Sequence, residues 1–161
     1  MPEKGLLYLL KALDIVVHKD KYEQVRLLMI DDGPQRSLIL KLSRRYKLEN
    51  NIVLLGFLSR RKVAEYLSKA SIFLSPSIRE GMPISLLETL SSGLPIIGTR
   101  ISGVRDLVIH GYNGLLVPSK NFRTLATAIS YLLENEDLRN RTSKNARRYV
   151  VANFDYQRVL P

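Results

Sequence analysis

The sequence predicts an α/β fold, in which a parallel sheet carries helices on both faces. Short apolar runs alternate along the chain with longer segments whose apolar residues recur at helical spacing. The run VRLLMI is nearly continuous, which is typical of a parallel strand buried on both faces, and NIVLLGF is another short apolar run. With 161 residues the chain is long enough for a core of its own, so we expect residues 1–161 to form a single domain.

The elements follow from the same alternation. Strands are predicted at residues 25–30, 51–57, 71–75, 94–98 and 115–117. Helices are predicted at about residues 6–18, 34–46, 60–68, 83–91, 103–109, 122–133 and 137–151. Pro34 suits the first position of its helix, and Ser59 suits an N-cap. In such folds ligands bind beyond the carboxyl ends of the strands, where this chain collects its polar and glycine-rich positions.

Charge and composition limit the possible partners. The formal net charge is +10, which favours anionic partners, although a generally basic, solvated surface explains it equally well. We expect no nucleic-acid binding, because aromatic residues do not interleave with the basic ones. Cysteine is absent, and His18 and His110 lack metal-ligand spacing. A metal at Asp31-Asp32 lacks an evident third ligand, so we predict no metal site.

The apolar runs are too short to span a bilayer, and the N-terminal MPEKGLL does not have the pattern of a signal peptide. We therefore expect a cytoplasmic protein. A peripheral contact with the inner face of the membrane stays open, because the surface is basic and anionic lipid head groups attract such surfaces.

The stretch from Ser75 to Thr99 holds the strongest candidate site. Glu80 lies in a loop between a predicted strand and a predicted helix, where free backbone N–H groups suit phosphate or sugar oxygens. It can accept hydrogen bonds from sugar hydroxyls, or it can simply cap the helix. Glu88, inside the helix, either lies on a solvated face or turns toward the strand ends, where its two oxygens can take both hydroxyls of a ribose.

These residues resemble the signature of the group 1 (family 4) retaining glycosyltransferases, which have the GT-B fold. That signature is a glutamate, seven residues, a second glutamate and then G-x-P-[VI]-[IV], here Glu80, Glu88 and Gly93 to Ile97. Further motifs agree in order and spacing: Glu3-Lys4-Gly5, Asp32-Gly33-Pro34, Val53 to Gly56, Gly103 to Asp106 and Gly111 to Val117. The resemblance covers nearly the whole chain.

The resemblance implies the C-terminal, Rossmann-like half of such an enzyme, which binds a nucleotide diphosphate sugar and transfers a hexose to a glycan or lipid-linked acceptor. By analogy, Lys4 neutralises the donor diphosphate, Glu80 contacts the transferred sugar as a catalytic residue, and Glu88 holds the ribose. No metal or other cofactor is expected. The resemblance also assigns substrate contacts to Gly33, Phe57, Leu58, Gly81, Met82, Pro83 and Ile84.

The chain departs from the family pattern in two ways. Asp31 replaces a common glycine and adds negative charge close to the expected phosphate, while Asp106 and Ser102 are milder changes. The family's half-domain also begins with a central strand that ends in an arginine before the lysine, and that strand is missing before Lys4. Strands 25–30 and 71–75 are then expected either to pair directly or to leave a gap that another polypeptide fills.

Two functional hypotheses follow from these departures. In the first, the chain is the donor-binding half of a glycosyltransferase, weakly active or inactive alone, whose partner is the missing N-terminal half-domain. In the second, it is a degenerate, non-catalytic domain that serves as a binding or assembly module, for which exposed strand edges favour self-association. The presence of Lys4, Glu80 and Glu88 favours the first hypothesis.

Overall fold

The structure is a computed structural model that describes residues 4–30, 33–81 and 83–154. Its strands are β1 (Leu27–Met29), β2 (Ile52–Leu54), β3 (Phe73–Ser75), β4 (Ile96–Thr99) and β5 (Gly114–Val117). Its helices are α1 (Leu6–Asp14), α2 (Arg36–Arg45), α3 (Arg60–Lys69), α4 (Ile84–Ser91), α5 (Ser102–Arg105), α6 (Phe122–Glu134) and α7 (Glu136–Asn153). A π-helical segment, Ile15–Lys19, continues α1. The predicted α/β class and the order of the elements are confirmed.

The element boundaries differ from the prediction in detail. The strands are shorter than the apolar runs that predicted them, and α5 ends at Arg105 instead of continuing to residue 109. The assignment of Pro34 to the first helical position was wrong. The amide of Arg36 donates to the carbonyl of Gly33 at 3.2 Å, so Pro34 lies inside a turn and α2 begins two residues later. Proline suits the second position of such a turn as well as it suits a helix start.

The strands form two separate parallel sheets. One is β1-β2, in which Leu27 pairs with Ile52, and the other is β3-β4-β5, in which Phe73 pairs with Ile96. Within the described residues no strand pairing joins β1 to β3. Of the two expected arrangements, direct pairing of these strands is therefore not seen among the described residues.

Burial differs between the two sheets. Every residue of β4 is buried, as is typical of a central parallel strand. The prediction of cover on both faces was wrong for β1, since Leu28 is 38% exposed, and Val53 of β2 is similarly 37% exposed. Their alternate residues Leu27 and Ile52 pack against Leu13, Val17 and Leu48. The two-stranded β1-β2 sheet (the ribbon) is thus covered on one face by the described helices.

Two apolar clusters hold the larger sheet between helices. One joins residues of α1, the π-helical segment, β4, β5 and α6, including Leu9, Val16, Ile97 and Leu132. The other joins α4, α5 and α7 to the strands through residues such as Leu86, Leu90, Ile96, Val104 and Val150. Leu27 of β1 and Leu74 of β3 both pack against the first cluster, so α1 connects the two sheets. None of the helices in the described ranges combines the length and apolar character needed to cross a membrane.

Candidate functional site

The loop between β3 and α4 brings Glu80 and Lys4 together at the carboxyl end of the larger sheet. The Lys4 ammonium Nζ donates to Glu80 Oε1 at 3.0 Å. The Glu80 side chain is 19% exposed, whereas that of Lys4 is 64% exposed. Sequence reasoning selected these two residues separately, and the fold places them in contact. The ammonium retains free donors and is accessible to a further anion.

A buried hydrogen-bond chain holds Glu80 from its other side. Ser77, which is 3% exposed, donates its hydroxyl to Glu80 Oε2 at 2.7 Å. Thr99, at the end of β4 and also 3% exposed, donates to the carbonyl of Ser77 at 2.5 Å. Both carboxylate oxygens of Glu80 therefore accept a hydrogen bond, which fixes the orientation of the group.

Sequence reasoning missed Ser77 and Thr99. A hydroxyl residue three positions before Glu80 was a weak signal, since such spacing permits a local hydrogen bond within a turn. Thr99 gave no signal of its own, because its contact with Ser77 depends on the pairing of β3 with β4. Local patterns do not report such a contact.

Two glycines let neighbouring segments approach the loop closely. A Cβ on Gly5, whose φ is +68°, would overlap the carbonyl oxygen of Pro76. A Cβ on Gly103, at the start of α5, would overlap the carbonyl oxygen of Gly81. The Glu80 loop is thus packed between the segment that precedes α1 and the first turn of α5, and only glycine fits at these two contacts.

The structure bears on one of the alternatives for Glu80, the helix cap. Among the described residues, its carboxylate bonds to Lys4 and Ser77 and to no backbone amide of α4. The N-cap of α4 is Pro83, which provides no side-chain cap. Glu80 is therefore not the helix cap in the described part of the chain. At the start of α4 the amide of Leu86 donates to the carbonyl of Pro83 at 3.1 Å. The amides of Ile84 and Ser85 precede this first bond of the helix, and amides at such positions suit an anion or a hydroxyl oxygen.

Glu88 does not lie on a freely solvated face. Its side chain is 24% exposed, and Glu88 Oε1 lies 3.2 Å from Nη2 of Arg60, the first residue of α3. The loop that follows β2 ends at Arg60. Because Glu88 contacts Arg60, its carboxylate faces this strand-end loop. The predicted ribose contact and the predicted loop at residues 57–60 are adjacent, although the sequence gave no sign of this ion pair.

The other predicted site residues are spread around these pairs. Phe57 is 79% exposed and Ile84 is 72% exposed, so both are apolar side chains open to a ligand. Gly81 is exposed, Pro83 is buried, and Leu58 and Gly33 are half-buried. Met82, Asp31 and Asp32 lie outside the described residues. Within the described ranges no three His, Asp or Glu side chains come together as a metal-binding group would require.

The chemistry available here is that of anion and hydroxyl binding. A lysine ammonium, two oriented carboxylates and an uncapped helix start lie at the strand ends. Cationic groups and helix starts stabilise phosphate oxygens, and carboxylates accept hydrogen bonds from vicinal hydroxyls. The arrangement suits a ligand that carries both phosphate and sugar groups.

Comparison with known proteins agrees with this chemistry. The model of the family described as glycosyl transferases group 1 matches residues 1–149. The chain is 30% identical over 135 residues to N-acetyl-alpha-D-glucosaminyl L-malate synthase of Bacillus anthracis, covering 84% of this chain and 35% of the relative. It is 28% identical over 158 residues to the UDP-Gal:alpha-D-GlcNAc-diphosphoundecaprenol alpha-1,3-galactosyltransferase of Escherichia coli, covering 96% of this chain and 39% of that enzyme.

The fold also matches a solved structure. The C-terminal domain of a glycosyl transferase group 1 family protein from Francisella tularensis superposes with a TM-score of 0.84 at 20% identity. The match covers 95% of this chain and 80% of that one. The fold is therefore that of a Rossmann-like C-terminal domain of the GT-B type. The chain spans 35% to 39% of the length of the two curated relatives.

Proposed function

Because this chain belongs to the family of group 1 glycosyl transferases, we propose that it supplies the donor-binding half of an enzyme that transfers a hexose from a nucleotide diphosphate sugar. The acceptor is a glycan or a lipid-linked sugar, and the anomeric configuration of the hexose is retained. The observation that carries the proposal is the contact between Lys4 and Glu80 beside the uncapped start of α4.

Each part of the donor has a group that suits it. The Lys4 ammonium, being exposed, turns from Glu80 toward the diphosphate and offsets the charge that develops as the nucleotide leaves. The first amides of α4 bind phosphate or sugar oxygens. Glu80, oriented by Ser77, accepts hydrogen bonds from the transferred sugar. In this proposal lysine and the helix dipole take the place of a metal ion.

At the other end of the donor, Glu88 binds the ribose. Its carboxylate faces the loop after β2 and is not fully buried, so a vicinal diol can reach both oxygens. The exposed Phe57 and the half-buried Leu58 stand in the same loop, on the side where the base would lie. Gly33, in the turn before α2, keeps the space near the diphosphate free of a side chain.

The acceptor side of the reaction requires a second structural unit. Both curated relatives are more than twice as long as the part matched here, and their names give a small organic acid and a diphosphoundecaprenol-linked sugar as acceptors. We propose that the acceptor site and the opposing wall of the cleft come from an N-terminal half-domain. Among the described strands no ladder joins β1 to β3, which is compatible with a strand supplied with that half.

Calorimetric titration of the 161-residue chain with UDP, GDP and their hexose conjugates tests the donor site. We expect saturable binding of one nucleotide, which Glu88→Gln and Lys4→Ala both weaken. A folded sample that binds none of these nucleotides would refute the proposed function for this chain. Once the chain is joined to its N-terminal half, NMR of the product reports the anomeric configuration and so tests retention.

A further inference from the structure

The ion pair between Arg60 and Glu88 joins two elements that the sequence analysis treated separately. Arg60 is the first residue of α3, and Glu88 lies within α4. Arg60 Nη2 is 3.2 Å from Glu88 Oε1, with the arginine side chain 61% exposed and the glutamate side chain 24% exposed. The carboxylate is the more buried partner, so the arginine approaches it from the solvent side.

The position of Arg60 is fixed locally. Ser59 is the N-cap of α3, and its hydroxyl oxygen accepts a hydrogen bond from the backbone amide of Lys62 at 3.3 Å. The cap holds Arg60 at the first helical position, directly after the loop that leaves β2. A hydrogen-bonded turn therefore fixes the backbone from which the arginine side chain extends toward Glu88.

This arrangement goes against the usual distribution of charge along a helix. The first turn of α3 contains Arg60, Arg61 and Lys62 and no acidic residue, although cations near a helix start cost about 0.3–1 kcal/mol each. Glu65 pairs with Lys62, and Glu88 pairs with Arg60. Arg61 forms no ion pair with any described carboxylate. Unfavourable charges of this kind at a helix start are expected where a residue has a role in a functional site.

The ion pair between Arg60 and Glu88 contributes little to the stability of the fold. Exposed ion pairs contribute roughly 0–1 kcal/mol, since water screens the charges and two long side chains lose freedom. Its effect on geometry is larger. Arg60 holds Glu88 as an ion pair without the geometry of a hydrogen bond, so the guanidinium draws Oε1 toward itself by charge. Both oxygens of Glu88 keep their capacity to accept hydrogen bonds.

We propose that Arg60 is a positioning residue that orients the Glu88 carboxylate for the vicinal hydroxyls of the nucleotide ribose. The proposal rests on the proposed function, because it takes Glu88 to be the ribose contact. Arg60 acts through Glu88 and does not itself touch the reacting atoms. Its loss lets the carboxylate rotate, and the nucleotide must then order it on binding.

The test compares Arg60→Ala with Arg61→Ala, an adjacent arginine of the same helix without such a pair. Calorimetry with whichever of UDP and GDP binds more tightly should show affinity about 5- to 15-fold lower for R60A and less than about 2-fold lower for R61A. Arg60→Lys should restore part of the affinity, since it keeps the positive charge on a side chain of different shape. Equal unfolding midpoints of these variants establish that folding is unchanged.

Two further measurements separate positioning from a general loss of charge. With the 2′-deoxy form of the same nucleotide the penalty of R60A should fall below about 2-fold, because one of the two hydroxyls is missing. In the background of Glu88→Gln, removal of Arg60 should add almost nothing, because the carboxylate that it orients is gone.

Each outcome is decisive. If R60A binds like R61A, or if the 2′-deoxy nucleotide keeps the full penalty, Arg60 does not position Glu88, and the proposed function still stands. If the wild-type chain binds no nucleotide, the proposed function itself fails and this inference fails with it.

Discussion

Lys4 and Glu80 are 76 positions apart in the chain, yet the ammonium of one lies 3.0 Å from the carboxylate of the other. The contact ties the segment before α1 to the loop after β3. It also places the exposed cation next to a carboxylate whose second oxygen is already held by Ser77. The Lys4 ammonium can thus move from Glu80 to a phosphate, while the hydrogen bond from Ser77 still holds the carboxylate in its orientation.

Replacing Lys4 with alanine should weaken the binding of a nucleoside diphosphate more than that of the corresponding nucleoside. The ammonium interacts with phosphate charge, so we expect about a 5- to 20-fold loss for the diphosphate and almost none for the nucleoside. Calorimetry with both ligands measures the difference. Lys144→Ala, an exposed lysine of α7, is the matched control. Equal losses for the two ligands would show that Lys4 does not act on the diphosphate.

Replacing Ser77 with alanine should narrow the difference in affinity between the nucleotide sugar and the free nucleotide. Ser77 orients Glu80, which contacts the sugar, so the free nucleotide should bind as before while the sugar conjugate loses about 3- to 10-fold. Titration of both ligands measures the change. Ser68→Ala removes a serine that only bonds its own helix, and it should affect neither ligand. A parallel loss for both ligands would indicate a general disturbance of the loop.

Replacing Gly103 with alanine should destabilise the fold by about 1–3 kcal/mol, because the new Cβ meets the backbone of Gly81 and the loop must move. Gly81→Ala is the control, since a Cβ there has nothing within 4 Å and its stability should change by less than about 1 kcal/mol. Urea denaturation followed by circular dichroism compares the two. Similar stabilities of both variants would contradict the close packing of α5 against the Glu80 loop.

Stability should depend on pH through Glu65. Hydrogen bonds from Lys62 and Lys69, both at 3.1 Å, hold the pKa of this carboxyl below its usual 4.5. A lowered pKa in the folded state means that the unfolded chain takes up the proton first. The stabilisation is complete above pH 4.5 and is lost as the pH falls through the lower, folded pKa.

Glu65→Gln isolates this contribution. The difference in unfolding free energy between wild type and variant should be present at about pH 7, become smaller as the pH is lowered below 4.5, and decrease in high salt. Urea denaturation over this pH range measures it. A difference that does not vary with pH would show that the two lysines do not stabilise the charged form.

The order of the elements could be predicted, and the candidate site residues could be selected, because each depends on local sequence. Apolar runs mark the strands, and the spacing of Glu80 and Glu88 marks a motif. Contacts between distant segments could not be predicted in this way. The bonds of Ser77 with Thr99 and of Arg60 with Glu88 exist only once the strands are paired and the helices packed.

Burial of the outer ribbon was mispredicted for a related reason. Leu28 and Val53 belong to apolar runs that have the composition of fully buried strands. Whether such a residue is covered depends on the neighbouring strand and on helices on both sides, and β1 has a partner on one edge only among the described strands. An apolar composition allows a strand to be buried on both faces, but the neighbouring strands and helices determine whether it is.

The division into two sheets also has a kinetic consequence. With no ladder from β1 to β3 in the described ranges, the β1-β2 ribbon can open while the ladders of β3-β4-β5 stay intact. We expect its amide protons to exchange with solvent much faster than those of β4, as two separate cooperative units would. A nucleotide held by both the loop after β2 and the loop after β3 would couple the two units and slow exchange in the ribbon. Ligand binding would then be detected as slower hydrogen exchange of amides that do not contact the ligand.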